Sequence, residues 1–364
     1  MSARVFAVVV TSIFALGACT NADTSSNTTT PVDTSQAPLP IDLTGAGATL
    51  PYPLYALWFN DYAQRTGVQI NYFSIGSGGG IARMLIGDVD FGATDVPMTD
   101  RELAQSATPI VHIPTIVGAV AVTYNVPGIT RPLQLSGDVV ADIFLGAITR
   151  WDDPRIVALN PGAALPARDI RVVHRADESG TSYIFTDYLS AVSPTWAAGP
   201  GRGKAVAWPV GSSSNGNEGV AGQVKATVGA LGYVEVVYAR QNRLPVAHLR
   251  NRAGKFVSPQ PYEIASAAAS AITKANGDMR VSLVNTSGAS AYPITAFTWI
   301  LVSPERLGAQ KTGHLVNFLR WALTDGTDIA SRSGYVALPS VTASRIHDLL
   351  DTLSATTPRP LKQK

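Results

Sequence analysis

The 364-residue sequence has a single cysteine, Cys19, so no disulfide, thiolate zinc site or CxxC redox pair can form within the chain. Its five histidines stand at positions 112, 174, 248, 314 and 347, too dispersed to suggest a metal motif. Charge is sparse: 15% of residues are charged, with 28 Lys+Arg against 26 Asp+Glu. That balance excludes an acidic disordered tail and a basic stripe of the kind that binds nucleic acid. Long apolar runs are missing too. Beyond the N-terminal region the longest, Thr115 to Thr123 (TIVGAVAVT), is far too short to cross a bilayer. Nucleotide motifs are absent: there is no G-x-x-x-x-G-K-[ST], and Gly76-Ser77-Gly78 has Ile81 where a third dinucleotide-fingerprint glycine would fall. No G-x-S-x-G elbow occurs, which leaves a serine hydrolase of that type unsupported.

What is present begins with an address. One positive charge, Arg4, precedes an apolar stretch from Val5 to Leu16, the pattern of a secretory signal. The stretch is shorter than the ~20 residues a membrane-spanning helix needs, so cleavage is expected rather than retention. The junction Leu16-Gly17-Ala18-Cys19 resembles the bacterial lipobox. That resemblance implies removal of residues 1–18 as a lipoprotein signal peptide and acylation of Cys19, the alternative being a plain signal peptide with an incidental cysteine. Residues 19–41 are rich in Ser, Thr, Asn and Pro, cannot bury enough surface to order themselves, and read as a flexible tether.

The remainder alternates strand and helix patterns, which makes the class α/β. Thr115–Thr123 and Thr295–Val302 (TAFTWILV) read as strands buried on both faces. Val68, Ile70 and Tyr72 alternate as in a strand, whereas Leu54, Leu57, Trp58 and Tyr62 recur at helical spacing after Pro51 and Pro53. Gly67 supplies a stop, Thr99 to Glu102 has capping-box spacing, and Leu315, Phe318, Leu319, Ala322 and Leu323 form a late amphipathic stripe. No repeat of fixed period and no long internal linker is visible after residue 42.

Four segments place glycine and hydroxyl residues between a strand pattern and a helix pattern. They are Gly45 to Leu50, Gly76 to Gly80, Arg175 to Thr181 and Gly211 to Gly219. Glycine lets backbone N–H groups approach a ligand, and the helix N-terminus leaves those donors unpaired with a dipole that favours negative charge. One such loop alone reads more readily as an ordinary N-cap. Several in one chain, one carrying Arg175, point to an oxyanion, because the guanidinium fork matches a tetrahedral anion better than a lysine point charge does.

At these same loops the sequence resembles a known family. GAGATLPYPLY (45–55), IGSGGGIARM (75–84), DFGATDVPMTD (90–100), RADESGTSYIFTDYL (175–189), NGNEGV (215–220) and GALGYVEVVYA (229–239) are similar to the phosphate-binding subunit of bacterial phosphate ABC transporters. The resemblance implies a two-lobed type II periplasmic binding protein fold with two crossing hinge strands, near Val120 to Asn125 and Thr295 to Val302. Lobe I would be 42–122 plus 296–364, and lobe II 123–295. It implies that phosphate is held by Thr49, Leu50 through its N–H, Ser77, Asp95, Arg175, Ser179, Gly180 and Thr181, with Asp177 pairing with the arginine. No metal, cofactor or catalysis is implied, and the protein would be a monomer that delivers phosphate to membrane permease subunits. Glu178 and Asn215 depart from the family pattern: Glu178 should point outward, and Asn215 leaves the role of the NGNEG loop open. Two other readings remain: a binder of another oxyanion such as sulfate, and a phosphatase using Ser179 or Ser77.

Overall fold

The computed structural model describes residues 42–272 and 280–355, so the expected signal peptide, Cys19 and the tether lie outside the described residues. Among those described, the strands are β1 (Asp42–Gly47), β2 (Gln69–Ser74), β3 (Phe91–Thr94), β4 (Val111–Tyr124), β5 (Gln134–Leu135), β6 (Arg171–Arg175), β7 (Ser212–Ser214), β8 (Ala230–Glu235), β9 (His248–Arg250), β10 (Phe256–Val257) and β11 (Thr295–Val302). Eight of them form one sheet in the order β2-β1-β3-β11-β4-β8-β6-β7, and β10-β9-β5 form a second. The α/β class is therefore as expected from the alternating pattern.

Pairing within the large sheet explains where a site can form. β1 runs parallel to β2 and β3, and β6 runs parallel to β7 and β8, so each half of the sheet has its own set of parallel C-terminal ends. Loops at such ends, where strand order reverses, are the usual place for ligands in open α/β sheets. Between the halves lie antiparallel β11 and β4. β4 pairs with β11 from Val111 to Ala119 and then with β8 from Val120 to Tyr124, so one strand passes from one half to the other. Pro114 sits inside this strand although it cannot donate to a ladder. The register with β11 shifts between Thr298 and Trp299, opposite Ile116 and Pro114, and this irregularity accommodates it.

Local signals account for most elements. The Tyr52–Thr66 helix starts after Pro51 and stops at Gly67, whose φ of 78° is left-handed and whose N–H bonds Ala63 O at 2.8 Å. Its buried face is formed by Leu54, Tyr55, Trp58, Phe59 and Tyr62. Leu57, expected on that face, is 48% exposed, because the stripe that packs on Phe91 and Phe318 runs along the Tyr55 and Phe59 side. The Thr99 capping box forms, with Thr99 N donating to Glu102 Oε2 at 2.7 Å. The late stripe is buried along the Ala309–Leu323 helix. The segment 211–219, read as a single loop, contains the short edge strand β7 before the Gly216–Ala226 helix begins.

Candidate functional site

Helices begin where the parallel strands end. After β2, the Ser77–Ile86 helix starts at Ser77 and packs against the end of β1 through glycine: a Cβ at Gly80 would lie 2.6 Å from Gly47 Cα and 2.7 Å from Ala93 O. This close approach draws the helix N-terminus and Ser77 to the end of β3, where Asp95 follows. After β6, Ser179 caps the Gly180–Val192 helix by accepting from Ser182 N at 3.0 Å. The first-turn N–H groups of Gly180 and Thr181 have no acceptor within their own helix.

These ends meet. A Cβ at Gly180 would fall on Ser77 Oγ and within 2.8 Å of Asp95 Cβ, so only a glycine fits where the two halves touch. Gly78 N also donates to Glu178 O at 2.9 Å across the same seam. Asn217 donates to Thr49 Oγ1 at 2.8 Å and to Thr181 Oγ1 at 3.2 Å, tying the remaining threonines together. All eight residues expected to hold the ligand are buried: Thr49, Leu50, Ser77, Asp95, Arg175, Ser179, Gly180 and Thr181. Among the described residues no hydrogen bond engages the N–H of Leu50, while its carbonyl accepts from Tyr335 Oη at 2.9 Å.

Arg175 supplies the positive charge. Its Nε donates to Asp177 Oδ1 at 2.7 Å and its Nη2 to Asp177 Oδ2, so one edge of the fork is fully engaged. Nη1 is buried and, among the described residues, has no hydrogen-bond partner. A buried cationic donor left unpaired is costly, which makes it a pointer to an anion. Burial pushes Asp177 up, but the bonds and charge of Arg175 and the Gly216 N–H outweigh it and lower its pKa. Tyr233, stacked on Phe185 at 4.2 Å, accepts from Arg175 N at 3.2 Å and bonds Ser182 Oγ at 2.6 Å. The aromatic core of this half thus anchors the loop directly.

Asp95 faces this cation from the other half. Thr298 Oγ1 donates to its Oδ1 at 2.7 Å, Ser77 Oγ lies 3.4 Å from Oδ2, and Asp95 N donates to Ser77 Oγ at 3.0 Å. Burial pushes its pKa to about 7, against the opposing effects of Thr298, Arg175 and Ser77. The cluster therefore combines a forked cation, several hydroxyl and amide donors, and one carboxyl close to half-protonated at neutral pH. Glu178 is exposed but does not simply point outward, since its carboxylate lies against Gly78 in the first turn of the Ser77–Ile86 helix, and Asn215 is exposed at the cap of its helix. A cavity of about 500 Å³ borders the cluster at Asp95, lined also by Met98, Tyr183, Arg202 and Trp299. At the rim, Lys204 of one half pairs with Glu102 of the other, and Lys204 O accepts from Ser179 N at 3.0 Å.

Sequence reasoning missed the supporting residues Asn217, Thr298, Tyr238, Glu235 and Tyr335. Asn217 lies in the NGNEG loop two residues beyond the asparagine singled out there. Thr298 is one of two hydroxyls in an otherwise apolar strand, a usable signal once the strand was placed. Tyr238, whose hydroxyl donates to Thr49 O at 2.7 Å, had no signal of its own. Among the described residues no group of three or more His, Cys, Asp or Glu could hold a metal.

Comparison with known proteins gives the chain a family. The model of the PBP superfamily domain matches residues 23–326. The phosphate-binding protein PstS of Pasteurella multocida is 44% identical over 305 residues, covering 84% of this chain and 88% of that protein. PstS of Haemophilus influenzae is 42% identical, covering 84% and 91%. A solved periplasmic phosphate-binding protein, PfluDING, bound with phosphate, superposes with a TM-score of 0.66 at 22% identity, over 88% of this chain and all of that one, a likeness in fold. With a matching superfamily domain and relatives above 40% identity along most of its length, the chain belongs to the PstS family of phosphate-binding proteins.

Proposed function

We propose that this protein is an extracytoplasmic receptor that binds inorganic phosphate between the two halves of its sheet and hands it to the permease of a phosphate ABC transporter. The observation that carries the reading is Arg175 Nη1, a buried donor with no partner among the described residues, in a cluster of hydroxyls and opposite a carboxyl that can accept a hydrogen bond from a protonated oxygen. The ligands are Thr49, Leu50 N–H, Ser77, Asp95, Arg175, Ser179, Gly180 and Thr181, with Asp177 holding the arginine fork. Lobe I is 42–122 plus 296–364 and lobe II is 123–295, and β4 and β11 serve as the crossing strands.

A binding role suits the hydroxyls better than a catalytic one. Ser179 Oγ caps its helix and Ser77 Oγ accepts from Asp95 N, and the base that Ser77 does meet, Asp95 Oδ2, lies at a long 3.4 Å, a weak arrangement for activating a nucleophile. Sulfate is the disfavoured ligand because it offers no proton to Asp95. Calorimetric titration with phosphate and sulfate in parallel tests the reading: one-to-one phosphate binding is expected, and absence of phosphate binding overturns it.

Retention at the membrane follows from acylation of Cys19 in the lipobox-like junction. A single acyl chain holds a protein only marginally, so stable anchoring there needs more than one. Fractionation of cells carrying Cys19→Ala should move the protein out of the membrane fraction; equal retention of variant and parent refutes the anchor.

A further inference from the structure

We propose that Asn217 is a positioning residue that directs the hydroxyl hydrogens of Thr49 and Thr181 into the ligand site, making both threonines obligate donors. The inference rests on the phosphate reading above. Asn217 is fully buried in the first turn of the Gly216–Ala226 helix. Its Oδ1 accepts from the backbone N–H of Glu235 at 2.8 Å. A main-chain N–H can only donate, so the amide oxygen is fixed on that side and the NH2 group must face the other way. There its two hydrogens meet Thr49 Oγ1 at 2.8 Å and Thr181 Oγ1 at 3.2 Å.

An amide nitrogen accepts nothing. Each threonine oxygen therefore spends a lone pair on Asn217 and keeps its own hydrogen for another acceptor. Among the described residues neither hydrogen has one, although Thr49 and Thr181 are only 2% and 1% exposed. Because one threonine comes from the end of β1 and the other from the helix after β6, a single carboxamide sets donors on both sides of the site. An oxyanion that presents acceptors in both directions satisfies them. A donor-only group such as an ammonium would meet hydrogens with hydrogens.

The near-isosteric Asn217→Asp reverses the arrangement. One oxygen keeps the Glu235 N–H, while the other accepts from the threonines, taking their hydrogens away from the ligand and adding negative charge. Inorganic phosphate should bind this variant about 100-fold or more weakly near pH 8, since two charge-assisted donors are lost at roughly tenfold or more each. Compared with the parent at the same pH, the deficit should shrink near pH 5, where a protonated carboxyl can donate again. Asn217→Ala, which leaves the hydroxyls free to turn, should cost about tenfold, and no more than about twofold once Thr49→Val and Thr181→Val are present.

Thermal unfolding of each variant establishes that it is folded, and if Asn217→Asp does not fold, the Asn217→Ala cycle decides. An equal Asn217→Ala penalty with and without the two valines overturns the proposal, as does an Asn217→Asp deficit that is constant with pH. Sulfate titrations run alongside separate this from the parent reading. A parent chain that binds sulfate instead of phosphate refutes the phosphate reading, and the same cycle measured with sulfate then decides on Asn217. A parent that binds neither overturns both.

Discussion

Asp95 is almost fully buried, and burial lifts its pKa from 3.8 to about 7 despite the Thr298 hydroxyl, the Arg175 charge and Ser77. Discrimination between two similar anions then becomes a matter of who brings the proton. Phosphate near neutral pH carries one and can share it with an ionised carboxylate. Sulfate carries none, so it binds well only when Asp95 is itself protonated. Above about pH 7 that protonation costs ~1.4 kcal/mol for each further pH unit, which is tenfold in affinity. The parent protein should thus lose sulfate affinity about tenfold per pH unit above neutrality. In Asp95→Asn the amide oxygen keeps the Thr298 hydrogen bond and the NH2 faces Ser77 Oγ and the ligand, donating at every pH. Its sulfate affinity should be flat, leaving the two proteins ~100-fold apart near pH 9. Equilibrium dialysis with labelled sulfate from about pH 6 to about pH 9, at fixed ionic strength, measures both slopes. Equal slopes in parent and variant, or a parent with no slope, would refute the assignment of Asp95 as the group that reads the proton.

Arg175→Lys removes the fork that serves Asp177 and the ligand together. Phosphate affinity should fall about 100-fold, ~3 kcal/mol for a charge-assisted pair made with the wrong geometry, and an unchanged titration would remove Arg175 from the site. Gly180→Ala puts a methyl group on Ser77 Oγ, so phosphate should bind roughly tenfold to a hundredfold more weakly, from ~1 to 3 kcal/mol of overpacking, and an unaltered dissociation constant would disprove the close contact of the two halves. Glu235 is fully buried, and burial raises its pKa from 4.5 to about 8 against the Val237 N–H, the Arg240 charge and the Tyr335 hydroxyl. The folded protein keeps a proton that the unfolded chain gives up above about 4.5, so this group's contribution falls as pH rises from there through about 8. Glu235→Gln should flatten that decline in melting temperature, and parallel declines in parent and variant would count against it.

The loops at the strand ends were legible because the physics that makes an anion site also biases composition. Only glycine fits at Gly80 and Gly180, and only a few short polar side chains (Ser, Thr, Asp, Asn) cap a helix as Ser179 does. Arg175 and Asp177 are two residues apart and could be read as a pair. What the sequence could not display was contact across the sheet. Asn217 and Asn215 are indistinguishable in a linear string, yet one is fully buried between two threonines and the other is exposed. Leu57 shares helical spacing with Leu54 and Trp58, and only the position of Phe318 decides which side of the helix is covered. Ser212 to Ser214 lack the apolar alternation that marks a strand, because β7 is a short edge held by backbone pairing to β6. Thr298 gains its importance from a partner more than two hundred positions away in the chain, which no local pattern encodes.

The ion pair at the rim carries a consequence for time rather than affinity. Glu102 is locked by its own capping box, so the residue Lys204 reaches for is already rigid, and the Lys204 carbonyl holds the N–H of Ser179 at the ligand loop. On the proposed hinge closure, a parting of the halves that releases an anion would first have to break this pair, whereas an incoming anion would meet the halves before the pair is made. Both side chains are about one-fifth exposed, within reach of dissolved ions. Added salt screens such a pair, so it should shorten the residence time of the bound anion by hastening its departure.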